Sequence, residues 1–250
     1  MSSADESFTP AGYRALLEAG LASGYAFCPF DDPGSIAEPR ALLLRHDVDA
    51  DPGAALELAR LEHELGVSAT YFFMLRSPLY NLFGRDNVGI VTEIVALGHG
   101  LGLHYDVAFV PSSRRSPEEW IDAEARVLSE MFGEPVRAVS FHQPGASPDP
   151  GAIRIGSLVN SYGLPGFHYL TDTNRVVDAA DLVDALRTAR HPRVQLLVHP
   201  MWWVADEAGT TEDAWDRALL ANLERSQAQL LATERAFGSP RTFTIARTRR

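Results

Sequence analysis

The sequence predicts an α/β fold in which parallel strands alternate with helices, as in a (β/α) barrel. Apolar runs of strand length alternate along the chain with segments whose apolar residues recur at helical spacing. This alternation indicates parallel strand pairing with crossover helices. The length of 250 residues is usual for one α/β barrel. The predicted strands also end in polar residues, and in a barrel those strand ends meet on one face.

Capping residues and apolar periodicity place the helices. Thr9 and Pro10 begin the first helix, and glycines end three of the others. The predicted helices span about residues 9–24, 52–65, 86–97, 117–132, 179–189 and 212–236. Stretches rich in β-branched and aromatic residues predict strands at about 41–49, 67–74, 99–106, 136–142, 166–172 and 194–200. The arginine-rich end, from residue 242, either adds a strand or frays. Since no linker or repeat interrupts the chain, we predict a single domain over residues 1–250.

Composition excludes several classes of function. The net charge of −11 argues against a general nucleic-acid binder and against an anionic membrane surface. All 22 basic residues are arginine, so a Walker-type phosphate lysine and a Schiff-base lysine are excluded. One cysteine, Cys28, cannot form an internal disulfide or a thiolate zinc site. The N-terminus lacks a signal-peptide pattern and no apolar run approaches membrane-spanning length, so we expect a soluble, cytoplasmic protein.

The predicted strand from Ala41 ends in two acids, Asp47 and Asp49. Two residues apart on an extended backbone, they point to the same side. Neighbouring carboxylates repel each other unless a cation or a shared proton lies between them. An acidic turn that caps the following helix would explain only one of these acids. We therefore favour a functional site here.

Other predicted strands also end in imidazoles and carboxylates. These residues are His104, Asp106, His142, Asp172 and His199. Imidazole and carboxylate ligands without thiolates suit zinc or another divalent ion such as Co, Ni, Fe or Mn. A metal-activated water, a carboxylate base and an imidazole acid together fit hydrolysis of an amide or ester. The alternative for each residue alone is structural, because a strand-end His often anchors a loop and Asp172 can cap a turn.

Four motifs occur in a recognisable order. They are Leu44-Arg45-His46-Asp47-Val48-Asp49, Gly98-His99-Gly100-Leu101-Gly102-Leu103-His104, Ser140-Phe141-His142-Gln143-Pro144 and Leu196-Leu197-Val198-His199-Pro200. This succession resembles the polysaccharide deacetylase superfamily (NodB homology, carbohydrate esterase family 4) and covers roughly residues 41–203. The first, second and last motifs are specific, and the third is loose. The resemblance implies an irregular (β/α) barrel of about seven strands.

The resemblance also implies roles for individual residues. Asp47 matches the catalytic base, Asp49 the metal-binding aspartate and His104 the first metal histidine. His199 matches the general acid, and Asp172 lies where an acidic residue supports the site. Arg45 shares the side of Asp47 and can pair with it.

Two positions depart from the family pattern. Ala108 stands where the second metal histidine is expected, and His142 stands in place of an arginine. Two outcomes are possible. In the first, His142 restores a three-ligand site, with Asp106 as the less favoured replacement, and in the second the metal is lost. We favour the rebuilt site, because a lost metal would leave Asp47 and Asp49 uncompensated.

The expected substrate is a soluble N-acetylated sugar or related small molecule. Trp202 and Trp203 follow His199, and their rings either stack against the substrate or close the barrel rim. The segments 77–86 and 111–116 are candidates for shaping the pocket. A metal-free relic that binds carbohydrate or protein, and another reaction at a carbon–nitrogen bond, are the alternatives to deacetylation. The sequence does not specify an oligomeric state.

Overall fold

The computed structural model describes residues 7–30, 33–34, 36–109, 115–143, 154–162 and 164–247. Helices and strands alternate through most of this range. The helices are α1 (Pro10–Ala22), α2 (Pro52–Glu64), α3 (Arg85–Ala96), α4 (Pro117–Phe132), α5 (Ala179–Thr188) and α6 (Thr211–Thr233). The strands are β1 (Ala26–Phe27), β2 (Ala41–Val48), β3 (Thr70–Phe73), β4 (Gly100–Asp106), β5 (Ala138–His142), β6 (Arg154–Ile155), β7 (Leu158–Asn160), β8 (His168–Thr171) and β9 (Arg193–Val198).

One largely parallel sheet contains these strands in the order β6-β7-β5-β4-β3-β2-β9-β8, and β1 pairs with β2. The β6–β7 hairpin is antiparallel, and the other pairs are parallel. Contacts across the sheet show that it is curled. The Cζ atom of Arg45, on β2, lies 4.6 Å from the ring centroid of Tyr162, just after β7, and 5.9 Å from the ring centroid of Tyr169, on β8. These two tyrosines lie near opposite ends of the strand order. The predicted α/β fold with a deformed barrel is confirmed.

The two faces of β2 show how sequence alternation builds the barrel. Leu42 and Leu44 pack in the large core between the sheet and the helices, whereas Leu43 packs in a smaller apolar cluster inside the curl. The interior cluster also contains Phe72 of β3. Gly102 of β4 faces this ring, and a Cβ there would lie 2.4 Å from the Phe72 Cδ1 atom. Arg45 and Asp47 follow Leu43 at intervals of two residues, so their side chains also lie on the interior face of β2, where the candidate site is located.

Capping interactions define several helix starts in the structure. Ser116 and Glu119 form a reciprocal capping box at α4, and Thr210 with Asp213 does the same at α6. Asp51 caps α2 by accepting the backbone N–H of Gly53 at 2.9 Å. The capping role therefore belongs to Asp51 and leaves both Asp47 and Asp49 free for other contacts.

The structure adds three short strands, β1, β6 and β7, that the sequence interpretation does not contain. Residues 242–247 form no strand, and α6 ends at Thr233 before a short 3-10 turn. The arginine-rich residues after 247 lie outside the described part of the chain. Across the described ranges, no helix is both long enough and apolar enough to span a membrane.

Candidate active site

The acids at the end of β2 lie in the mouth of the curled sheet. Asp47 is buried, and its Oδ2 lies 3.3 Å from Arg45 NH2. Its Oδ1 accepts a hydrogen bond from Ser140 Oγ, on β5, at 3.0 Å. His46 points to the opposite face, where it contacts Glu62 at 2.7 Å. The cation and the hydroxyl donor therefore hold the Asp47 carboxyl group in position from two sides.

His104, on β4, is oriented by the same serine. Its Nδ1 lies 2.6 Å from Ser140 Oγ. Because that hydroxyl donates to Asp47, it accepts from His104 Nδ1, and this network assigns the Nδ1–H tautomer to a neutral ring. The Nε2 atom of His104 then presents a lone pair. It lies 2.9 Å from Asp49 Oδ1.

The contact between His104 and Asp49 does not have hydrogen-bond geometry. Asp49 Oδ1 is buried and has no hydrogen-bond partner, although Nε2 is close to it. His104 Nε2 and Asp49 Oδ1 are thus neighbouring lone-pair donors that do not bond to each other, an arrangement suited to two ligands of one divalent cation. The donor set that the chain offers there, one imidazole nitrogen and one carboxylate oxygen, is also chemically suited to zinc.

Asp49 remains an anion over a wide pH range. Burial by itself would raise the pKa of its carboxyl group, but the neighbouring rings of His104, His199 and His142 lower that pKa from 3.8 to about 2. Three imidazoles therefore surround this carboxylate. His199 Nε2 is 3.8 Å from Asp49 Oδ2.

His199 follows β9 and is held from behind by Asp172. Its Nδ1 lies 2.6 Å from Asp172 Oδ1, and its backbone N–H also donates to this carboxylate. Trp203 Nε1 donates to the other oxygen of Asp172 at 2.7 Å. Burial would lower the pKa of His199, but Asp172, Asp49 and Asp47 together raise it from 6.5 to about 9. His199 is therefore protonated at neutral pH, with Nε2 directed toward Asp49.

The predicted third ligand, His142, lies beside this cluster at the end of β5. Its ring packs edge-on against His104, with the ring centroids 5.6 Å apart. Within the described ranges, no three His, Cys, Asp or Glu side chains are arranged to hold a metal ion. The structure thus brings Asp49 and His104 together and leaves His142 adjacent to them.

A cavity of about 760 Å³ opens above these residues. Asp47, Asp49, His104, His142 and His199 all line it, together with the ring of Trp202. The indole Nε1 of Trp202 is buried and has no hydrogen-bond partner. Aromatic and aliphatic side chains supply much of the remaining wall, namely Met74, Pro78, Leu79, Phe141, Tyr162, Tyr169, Leu197 and Trp215. This composition is typical of a small-molecule site with a few polar groups.

Two predicted site residues lie elsewhere. Trp203 is fully buried behind Asp172. Its indole N–H holds the Asp172 carboxylate, so its ring does not line the substrate cavity as predicted. Asp106 does not line the cavity. Its Oδ1 atom instead accepts a hydrogen bond from the backbone N–H of Ala108 at 3.0 Å. Of the two predicted loops, 77–86 contributes Pro78 and Leu79 to the cavity wall. Most of the loop 111–116 lies outside the described residues.

Several site residues have no assigned role in the sequence interpretation. Ser140 alternates with His142 on β5, and this period of two could have placed it on the interior face. Tyr162 and Tyr169 reach the cavity only because the sheet curls, and no local pattern signals that. His168, whose orientation the sequence leaves open, is exposed and stacks on His191 with centroids 3.6 Å apart.

Comparison with known proteins finds similarity at the level of solved structures. No protein-family model and no curated protein matches the sequence. A family 4 acetyl xylan esterase from Clostridium thermocellum, in complex with a cobalt ion, has 16% identity and a TM-score of 0.41, covering 74% of this chain and 84% of its own. A family 4 carbohydrate esterase from Bacillus anthracis has 15% identity and a TM-score of 0.40, covering 85% and 86%.

A pseudoenzyme of carbohydrate esterase family 4, also from Bacillus anthracis, has 14% identity and a TM-score of 0.41. The match covers 76% of this chain, which spans only 62% of the length of that protein. With identities of 14–16%, the activity has to be inferred from the residues of this chain.

Proposed function

We propose that the protein is a metal-dependent hydrolase that removes the acetyl group from an N-acetylated sugar or related small molecule. The observation that carries the proposal is that a carboxyl group and an imidazole, each held in position by buried partners, face one cavity. Asp47 is held by Arg45 and Ser140, and Asp172 raises the pKa of His199 so that its ring is protonated at neutral pH. A base and an acid with opposite protonation states are the requirement for amide hydrolysis near neutral pH.

The proposed metal ligands are Asp49 and His104, with His142 as the third. When bound, a divalent ion such as zinc supplies Lewis-acid polarisation of the substrate carbonyl and lowers the pKa of a water. Asp49 Oδ1 and His104 Nε2 support this assignment, because each is a lone-pair donor without a hydrogen bond to the other. His142 needs a side-chain movement to join them, since its ring now packs on that of His104.

The chain's own residues divide the proton transfers between them. Asp47 accepts the proton of the attacking water, and Arg45 and Ser140 hold its carboxylate in position meanwhile. His199 donates its Nε2 proton to the leaving nitrogen, while Asp172 retains the Nδ1 proton and fixes the ring orientation. The buried Nε1–H of Trp202 can donate to the substrate, and its ring and that of Trp215 pack at 6.1 Å on the same wall.

Acetate release tests this proposal directly. N-acetylglucosamine serves as the probe, with zinc added or removed by a chelator. Asp47→Asn should keep the metal and lose turnover by about a hundredfold or more, the scale of a general base. Asp181→Asn, the same exchange on an exposed residue of α5 that lines neither this cavity nor the neighbouring one between α6 and the segment 77–87, is the matched control. A fully active Asp47→Asn variant would remove the assigned role of Asp47.

A second candidate is a metal-free protein of this fold that binds carbohydrate or protein without catalysis. Ala108 favours it, because the second metal histidine of the motif is replaced there by a side chain without a donor atom. The preserved carboxyl group and imidazole argue against it, since binding alone does not need both Asp47 and His199 at the same cavity. Metal content and acetate release distinguish the two candidates.

A further inference from the structure

Unusual backbone conformations in the described part of the chain are concentrated at the candidate active site. Within the described ranges, the residues other than glycine with a positive φ are Gln143 at 55°, Asn174 at 53°, Arg175 at 52° and Ala189 at 46°. Gln143 and Asn174 line the active-site cavity, and Arg175 follows Asn174 directly. Residues with a Cβ adopt this conformation rarely, and such residues cluster at functional sites. Ala189 is different, because it ends α5 as an ordinary left-handed cap.

Arg175 fixes the turn that contains Asn174. Its backbone N–H donates to Asp172 O at 2.7 Å. Its NH1 atom donates to Gly209 O at 2.6 Å, and its Cζ atom lies 4.4 Å from the ring centroid of Phe8. These contacts hold the Arg175 side chain away from the active-site cavity, which it does not line. Asn174 lies on the cavity side of the same turn.

The side-chain amide of Asn174 is available to a ligand. It is exposed and lines the active-site cavity. Within the described ranges, no residue forms a hydrogen bond with this amide. Asparagine tolerates a positive φ better than most residues, but glycine adopts it without any steric cost. The backbone conformation alone therefore gives no reason for an amide at this position.

Asn174 belongs to a neutral polar rim beside His199. Thr171 and Thr173 line the same cavity, and their Oγ1 atoms lie 2.6 Å apart. Asp172, between these two threonines, binds His199 Nδ1 at 2.6 Å. The rim thus places two hydroxyl groups and one amide next to the proposed general acid. Since none of the three side chains is charged, the rim offers no cation to a phosphate or carboxylate group.

The position of this rim indicates which part of a substrate it contacts. In the proposed reaction His199 donates its proton to the leaving nitrogen, so the carbon that bears this nitrogen lies beside the rim. A hydroxyl group on the next carbon can donate to the amide oxygen of Asn174 and accept from its N–H.

We propose that Asn174 is a specificity-determining residue that binds a substrate hydroxyl group on the carbon next to the one that bears the acetamido group. The inference rests on the proposed function, because it takes His199 to face the leaving nitrogen. The preferred substrate is then a neutral vicinal acetamido alcohol, and amides of simple alkyl amines are poorer substrates.

Calorimetric titration with two small amides, in the presence of zinc, tests this role without requiring turnover. The probes are trans-2-acetamidocyclohexanol and N-cyclohexylacetamide, which differ only by the hydroxyl group. The wild-type protein should bind the alcohol about tenfold more tightly, the effect of one or two hydrogen bonds. Asn174→Gly should bind both probes equally, with its affinity for N-cyclohexylacetamide unchanged. The free energy of unfolding should not fall, because glycine adopts this φ without strain.

Ala189→Gly is the matched control, because it changes a residue of positive φ that does not line the active-site cavity. It should keep the full preference for the alcohol. The proposal is overturned if the wild type binds both probes equally or binds neither, or if Asn174→Gly keeps the preference. It is also overturned if Asn174→Gly loses affinity for both probes, since Asn174 would then act through the shape of the turn.

Acetate release from both probes is measured in parallel. Release without a preference for the alcohol in binding refutes the role of Asn174 alone. A preference that depends on Asn174, without acetate release, supports this role and refutes the proposed function.

Discussion

The dyad of His199 and Asp172 gives the sharpest test of the catalytic assignment. Asp172 is fully buried and accepts three kinds of N–H, from the backbone and ring of His199 and from the indole of Trp203. Asp172→Asn preserves its shape but replaces one acceptor oxygen by a donor. At least one of these N–H groups then faces another N–H, which costs about 1–3 kcal/mol of stability.

The catalytic loss should exceed this structural loss. Without the carboxylate, the main charge that stabilises the His199 imidazolium is lost, so the doubly protonated ring that can give up its Nε2 proton becomes less populated at neutral pH. We expect acetate release from N-acetylglucosamine to slow by about 10²–10⁴-fold, the contribution of a general acid. Metal content should not change, because Asp172 is not a proposed ligand.

Asp178→Asn provides the matched control, since Asp178 is exposed and its side chain makes no capping hydrogen bond at α5. This variant should keep wild-type stability and rate. A rate for Asp172→Asn within about threefold of the wild-type rate would be a small change beside the contribution expected of a general acid. That result would show that His199 does not act through Asp172 and that the dyad is structural.

Three further predictions concern the interior of the fold. Arg45→Met leaves Asp47 as a buried charge without its cation and should lower the free energy of unfolding by about 3–5 kcal/mol; a loss below about 1 kcal/mol in urea titration would contradict the buried pair. Burial would raise the pKa of Glu62, but His46 and Tyr13 hold that pKa below its ordinary value of 4.5. The ionised Glu62 therefore stabilises the folded protein at pH values above the unfolded-state pKa, and this stabilisation is lost as the pH falls through the lower folded-state pKa. Glu62→Gln should therefore destabilise the protein at pH 7 more than at pH 3, and an equal loss at both would refute this. Gly102→Ala places a methyl group against the Phe72 ring and should cost about 1–3 kcal/mol, whereas Gly89→Ala, with no neighbour within 4 Å, should not destabilise.

Strong local signals allow the main elements to be predicted from the sequence. The apolar run of β2 and the capping box of α4 carry their own periodicity and end markers, so their bounds agree closely with the structure. The short strands β1, β6 and β7 have two or three residues each, too few to show a period. Only the Gly156-Ser157 pair between β6 and β7 offers a hairpin signal.

The candidate site was predictable to the extent that strand ends converge. This rule places Asp49, His104, His142 and His199 at one edge of the sheet, as the structure has them. The side of a strand-end residue is harder to predict once the chain leaves regular geometry. Trp202 and Trp203 are adjacent, yet a 3-10 turn directs the first into the cavity and the second toward Asp172.

Metal content of the purified protein tests the central claim most directly. We predict about one divalent ion per chain in the wild type by elemental analysis, and loss of that ion in Asp49→Ala, His104→Ala and His142→Ala. His191→Ala, a change at an exposed histidine far along the chain from these ligands, should keep it. Retention of the ion in His142→Ala would show that His142 is not a ligand. Absence of any ion from the wild type, even after reconstitution with zinc, would contradict the metal-dependent hydrolase and favour the binding protein.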